Sequence, residues 1–194
     1  MVLLYQSAPN ELQIPCVTVE NKLGSRKLID HLIEVHGYQR IAFLAGPEGN
    51  EDSYWRKMGY LEALASHNLD CDSVLIATGG FDEEEAKEPI RKWLAGGVKM
   101  DAIFTGDDGA ATGVIAALRQ AGLRVPEDIA IVGFDDVSLS RHLIPPLTTV
   151  RAPIETVGYE AARQLVSLIQ TGAAEPLVLL PTELVVRQSC GCNG

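Results

Sequence analysis

The sequence predicts an α/β protein built on a doubly wound parallel sheet, and three observations carry that expectation. From residue 41 onward, short apolar runs alternate with stretches of helical period. The links between them are short, which implies parallel strands with helices on both faces and right-handed crossovers. Two of the strands also break into Gly-containing turns that carry adjacent aspartates, Asp107 with Asp108 and Asp135 with Asp136. In an open parallel sheet the carboxyl ends of strands are where ligands sit, so these acids are placed for chemistry or for binding.

The elements follow in order. Residues 2–5 and 14–19 are brief apolar runs punctuated by Pro9, Asn10 and Pro15. Asn21 is a candidate N-cap for a helix to about His36, whose Leu28, Ile29, Leu32 and Ile33 keep the helical period and which Gly37 can end. Residues 41–44 form a strand closed by Ala45-Gly46-Pro47, and a polar loop over 48–53 leads into a helix through about Ser66. A strand over 74–77 turns at Gly79-Gly80-Phe81 into a helix opened by Asp82 and three glutamates, which suit a positive helix start. Pro89 within that helix argues for a kink or an early break. The two strands over 102–104 and 129–132, each ending in its aspartate pair, enclose a small-residue helix. Beyond a loop over 139–146, residues 147–150 are a strand and 154–170 a strong helix that Gly172 can end. A last extended segment, 177–186, precedes a polar tail.

Composition narrows the function. The 194 residues are 46% hydrophobic and 22% charged, as in a soluble globular protein, and no apolar run approaches the roughly 20 residues of a membrane span. The amino end lacks the basic start of a signal peptide, so a cytoplasmic location is expected. Net charge is −10, from 26 acids against 16 bases, with no basic cluster. Such a surface repels phosphate backbones, so any DNA contact has to come from residues outside this chain. Cysteines stand at 16, 71, 190 and 192. A C-x-C pair is a weak metal signal by itself, and the four histidines are scattered, so reduced, unliganded thiols are expected, with no metal and no cofactor.

The four aspartates admit several readings. A Mg²⁺ site for phosphoryl transfer is one, but no phosphate-cradling G-x-x-x-x-G-K-[ST] and no G-x-G-x-x-G accompanies them. Nucleophilic hydrolysis lacks its G-x-S-x-G elbow. Polyol binding needs a carboxylate to accept from adjacent hydroxyls, a guanidinium to donate, and an aromatic ring for an apolar sugar face. Asp135, Arg56 and Phe81 supply one of each near the same sheet edge. Plainer roles stand beside these: Asp107 or Asp108 as a helix cap, Arg56 as a solvated surface group, Phe81 as core.

At this point the runs I-A-F-L-A-G-P (41–47), R-K-M-G-Y (56–60), D-A-I-F-T-G-D-D (101–108), G-L-R-V-P-E-D-I-A-I-V-G-F-D-D (122–136) and P-P-L-T-T-V (145–150) matter together. They resemble the effector-binding domain of the lactose-repressor and galactose-repressor (LacI/GalR) family, in the right order over nearly the whole chain. The resemblance implies a periplasmic-binding-protein-like fold of type I: two doubly wound lobes, three crossovers, and a small ligand, usually a sugar or a nucleobase-type metabolite, in the cleft. It implies a transcriptional regulator, not an enzyme, whose DNA-binding domain is absent from this chain.

Carried over residue by residue, the resemblance gives ligand contacts to Arg56, Asp135 and Phe81, with Asp52 a further candidate by position. The family's ligand-contacting Asn before the Asp is here Gly106, a departure that brings in Asp107 or a bridging water. The resemblance further implies a homodimer, through the helix near residues 109–121, apolar nearly all round with Ala111, Val114, Ile115 and Leu118, and the loop near Leu143. Its domain boundaries imply a fragment lacking most of the first lobe. Residues 1–20 would be a remnant of that lobe and a crossover, 21–147 the second lobe, 148–176 a crossover and a first-lobe helix, and 177–194 the final second-lobe strand and tail. The ending R-Q-S-C-G-C is similar to versions in which the sensor precedes a signalling module such as a diguanylate cyclase or a kinase, which is the alternative output.

Overall fold

The computed structural model describes residues 1–8 and 12–193. The punctuation read at Pro9 and Asn10 lies outside the described residues. Two sheets organise the chain. The smaller has the order β1-β2-β8, from β1 (Leu3–Leu4), β2 (Cys16–Val19) and β8 (Leu177–Leu180), all parallel. The larger has the order β4-β3-β5-β6-β7-β9, from β3 (Ile41–Ala45), β4 (Ile76–Thr78), β5 (Ala102–Thr105), β6 (Ala130–Asp135), β7 (Thr148–Arg151) and β9 (Glu183–Val185). All its neighbours are parallel except β7 with β9.

Helices cover both faces of the large sheet, so its strands are apolar at nearly every position. Side chains at Ile41, Phe43, Ala102, Phe104, Ala130, Val132 and Phe134 enter a core beneath α1 (Asn21–His36) and α2 (Glu51–Ser66). Their neighbours Ala42, Leu44, Ile103 and Ile131 enter a second core beneath α3 (Glu83–Ala95) and α4 (Asp108–Gln120). The fifth helix, α5 (Ile154–Thr171), packs on β1 and β2 and buries Val157 and Gln164. Ile154, Tyr159, Val166 and Ile169 on that helix remain exposed, as do Leu177 and Leu179 of β8. The chain passes between the two sheets three times, after β2, after β7 and after β8.

Several expectations need correction. The extended segment 177–186 is two strands: β8 pairs with β2 in the small sheet, and only β9 joins the large one, after a break at Pro181-Thr182. The strand β7 belongs to the large sheet, so that crossing begins near residue 152 and not at 148. The strand read over 74–77 starts late, because the Asp72 carboxylate accepts from Val74 N and folds residues 73–75 into a helical turn. The helix α3 runs through Pro89, held by Ala86, Ile90 and Trp93 buried on either side of it. Gly37 and Gly172 do end their helices in the left-handed conformation.

The largest correction concerns α4. Ala111, Val114, Ile115 and Leu118 are at most 4% exposed within this single chain. A helix that is apolar all round is a buried helix, and here α3 covers the face that looked free for a partner. Those four residues are core and offer no dimer surface. Leu143 packs partly buried against the same core, while its neighbour Ile144 is 75% exposed.

Candidate functional site

In the large sheet β3 sends the chain outward to β4, then α3 carries it back across to β5 on the other side of β3. The carboxyl ends of β3 and β5 therefore diverge, and such a switch point leaves a crevice. A cleft of about 280 Å³ opens there, lined by Tyr5, Asn50, Asp52, Arg56, Phe81, Asp107, Asp135, Ala152 and Ile154. All five ligand residues expected from the sequence lie around it. Tyr5, just past β1, and Ala152 to Ile154, at a crossing, bring in the edge of the small sheet's side.

Arg56 is the organising side chain. It sits on the second turn of α2 and is only 4% exposed, so the solvated reading is excluded. Its guanidinium donates from Nε to Asn21 Oδ1 at 2.9 Å, from Nη1 to the Gly106 carbonyl at 2.6 Å, and from Nη2 to Asp135 Oδ1 at 3.0 Å. The guanidinium carbon lies 3.9 Å from the centre of the Phe134 ring and 5.5 Å from that of Phe81. A cation so enclosed between carboxylate, carbonyl, amide and two aromatic faces is fixed before any ligand arrives.

The acids divide by their partners. Asp135 keeps its Arg56 contact while a quarter exposed to the cleft, on a backbone with φ of 106°. Phe81 and Tyr5, also lining the cleft, have φ of 59° and 57°. Non-glycine residues in that region are strained, and such strain collects at binding sites. Asp107 caps α4, accepting from Gly109 N and Ala110 N, and still borders the cleft. Burial pushes its carboxyl up from the ordinary value, against those two N–H groups. Asp52 is likewise pushed up by burial, with the Arg56 charge and the Asn21 amide pulling it back.

Asp108 and Asp136 face away from the cleft. Asp108, 1% exposed, accepts from Ser140 Oγ, Thr149 Oγ1 and Val137 N, and burial raises its pKa to about 7. Asp136 pairs with Arg187 at 2.6 Å and with Arg151 at 2.8 Å. Neither is a helix cap. The Mg²⁺ reading loses ground on the same geometry, because Asp135 already holds a guanidinium and Asp107 a helix start.

Glycine at 106 has a physical cause. A Cβ there would stand 2.7 Å from the Phe81 ring and 3.0 Å from the Leu44 carbonyl, and one on Gly46 would stand 2.3 Å from Phe81. The ring fills the space that a side chain at 106 would need.

Two site residues escape sequence reasoning. Asn21 looked like a helix cap, but α1 begins with no side-chain cap, and its amide instead bridges Arg56 and Asp52. Tyr5 gave no signal at all, yet its hydroxyl is buried at the cleft without a hydrogen-bond partner among the described residues. Asn50 caps α2 by accepting from Ser53 N, so that helix begins at Glu51, inside the stretch read as a loop. Outside the cleft, His31 and His36 meet Cys190 and Cys192 in one cluster, so the histidines are not all scattered.

Known proteins place this geometry in context. The family described as periplasmic binding protein-like domain matches residues 29–190. CelR of Thermobifida fusca, named an HTH-type transcriptional regulator, is 37% identical over 180 residues, which are 92% of this chain and 53% of its own length. MalR of Clostridium butyricum, also named an HTH-type transcriptional regulator, is 41% identical over 175 residues, 90% of this chain and 52% of its own. Among solved structures, a CelR–cellobiose complex superposes with a TM-score of 0.88 at 36% identity, covering 96% of this chain and 58% of that one. A LacI-family regulatory protein from Chloroflexus aggregans does so at 0.87 and 32% identity, covering 97% and 67%. The chain spans about half the length of the curated relatives it matches. On the matched family, the relatives and the superposed folds, the chain belongs to the periplasmic binding protein-like domain family, as an effector-binding domain of the LacI/GalR type.

Proposed function

We propose that this domain binds a small polyhydroxylated ligand, a sugar of one or two rings, at the Arg56–Asp135 cleft, and that the two lobes close on it. Closure then changes DNA binding by a domain outside this chain, as a shift between open and closed populations. The observation that carries the reading is the buried guanidinium of Arg56, held against Asp135 between two aromatic rings at the sheet's switch point. Asp135 supplies acceptors, Phe81 an apolar face, and the unpartnered Tyr5 hydroxyl a donor from the other lobe. An adjoining recess of about 500 Å³ shares Asp135, Ala152 and Ile154 with the cleft and gives space for a second ring. The CelR structure with cellobiose supports a ligand of that size.

The same proposal assigns residues 1–20 and 154–180 to a first lobe whose remaining part covers the exposed apolar residues of α5 and β8. It places pairing between copies at the loop carrying Leu143 and exposed Ile144, in place of α4. No described helix is long and apolar enough to cross a membrane, in keeping with a regulator working beside DNA in the cytoplasm. The S-C-G-C tail that suggested a fused signalling module is built into the lobe itself: Ser189 bonds to Ile131 and Thr148, and Cys190 is fully buried.

Isothermal titration with a panel of mono- and disaccharides, cellobiose included, on the longest form its gene encodes, tests the reading. The expected result is one ligand whose affinity collapses in Asp135→Ala and weakens in Tyr5→Phe. A ligand that binds Asp135→Ala as tightly as the parent overturns the assignment.

A further inference from the structure

About 22 Å along α1 from Asn21, by the rise of the helix, its far end meets the tail. His31 and His36 come from α1, and Cys190 and Cys192 arrive from the opposite end of the sequence. Their four ligating atoms lie within 4.8 Å of one another. His31 Nε2 is 3.6 Å from Cys190 Sγ and 3.7 Å from Cys192 Sγ, and His36 Nε2 is 3.4 Å from Cys192 Sγ. A tetrahedral zinc with ordinary Zn–S and Zn–N bonds sets each N···S separation at about 3.6 Å. Three of the six edges of a coordination tetrahedron are thus already at their length, and the other three are within 4.8 Å.

We propose that His31, His36, Cys190 and Cys192 form a structural zinc site that ties α1 to the tail. Two thiolates with two imidazoles are the donor set that suits zinc, and four protein ligands leave no open position for catalysis. The H-x₄-H spacing falls within the usual range; C-x-C is shorter than usual, and the backbone accommodates it at Gly191, whose φ is 104°. A Cβ there would stand 3.3 Å from the His36 ring and 3.2 Å from the Tyr38 hydroxyl, so only glycine brings the tail this close without strain. The surroundings fix the ligands. The His36 ring stacks on Tyr38 at 5.2 Å, and the Tyr38 hydroxyl donates to the Cys190 carbonyl at 3.1 Å. Thr148 Oγ1 donates to Cys190 Sγ at 3.1 Å. Outer partners of this kind orient metal ligands.

The test uses the 194-residue chain, purified under reducing conditions, stripped with a chelator and titrated with zinc alone. The expected result is one zinc per chain by elemental analysis and a thermal midpoint that rises with zinc concentration. Cobalt in place of zinc should give the intense visible bands of a tetrahedral site with thiolate charge transfer. Cys192→Ser and His36→Gln change partly exposed positions, and circular dichroism of the metal-free forms checks that they fold. Each should weaken zinc binding by more than the roughly 10–100-fold that losing an outer partner costs, while Cys71→Ser, at an exposed cysteine, should leave it unchanged. Failure of the reduced chain to take up stoichiometric zinc, an octahedral cobalt spectrum, or equal losses in Cys71→Ser and Cys192→Ser overturns the proposal. A Cys190–Cys192 disulfide in the chain isolated under reducing conditions does so as well.

Discussion

The turn after β5 and the turn after β6 carry the same dipeptide, Asp-Asp, and hold it by different means. In each, one aspartate borders the cleft and the other is pinned inside the protein, but the order is kept while the means differ. After β5, Asp107 is held by backbone N–H groups and Asp108 by two hydroxyls and an N–H, with no ion pair at either among the described residues. After β6, Asp135 faces the Arg56 guanidinium, and Asp136 faces two more arginines. Burial without a cation lifts Asp108 to a pKa of about 7. The first turn is thus held by neutral donors and the second by cations.

Five substitutions at the four aspartates sharpen that contrast. Asp108→Ala should have the largest effect on stability, about 2–4 kcal/mol in urea denaturation at neutral pH, because it strands the Val137 N–H and two buried hydroxyls. Its titration gives a second reading. The folded carboxyl keeps its proton up to about pH 7, whereas the unfolded one loses it near pH 4, so the folded state binds more protons between those values. The Asp108 contribution to stability is therefore greatest at acid pH, falls as pH rises through that window by at most about 1.4 kcal/mol per unit, and levels off above it. Asp108→Asn should remove this slope. A slope that persists unchanged in the variant would show that another group, not Asp108, produces it.

Asp135→Asn should act on binding and not on folding. Ligand affinity is expected to fall by about 2 kcal/mol in titration calorimetry, with stability within about 1 kcal/mol, because the amide oxygen can still accept from Arg56. Asp136→Asn should cost about 1–2 kcal/mol and, unlike Asp108→Asn, should make stability less sensitive to salt, since its partners are arginines. Asp107→Ala removes a helix cap and should cost about 1 kcal/mol, less than the change at Asp108. Equal costs for Asp108 and Asp136, with equal salt response, would erase the distinction between the turns.

Much of this was legible in the sequence, for reasons that can be named. Alternation of strand and helix is a periodic signal, and both left-handed glycine caps announce themselves, so the α/β sheet was readable. The cleft residues on the large sheet followed because strand ends of a parallel sheet converge on one edge. What failed was information about neighbours. The apolar surround of α4 says that something covers it, and only the fold says that α3 does. Asn21 satisfied the composition rule for a cap, but the guanidinium of Arg56 competes for its amide. Tyr5 lies just past a strand of two residues, with no pattern to read. Cys190 and His31 stand far apart in sequence, a separation that no spacing rule spans. The change of sheet at Pro181-Thr182 is hidden because both halves of the segment are equally extended.

The Phe81 ring resting on Gly46 and Gly106 makes the three positions sterically interdependent. An amide at 106 and a ring from 81 compete for the same volume, so one cannot be introduced while the other stays. Altering what this protein recognises by changing residue 106 alone would push the ring off its floor, and with it one of the two aromatic faces near Arg56. Redesign of the cleft therefore proceeds through paired exchanges, a smaller residue at 81 for a larger one at 106, and single substitutions at either place are steps off the path.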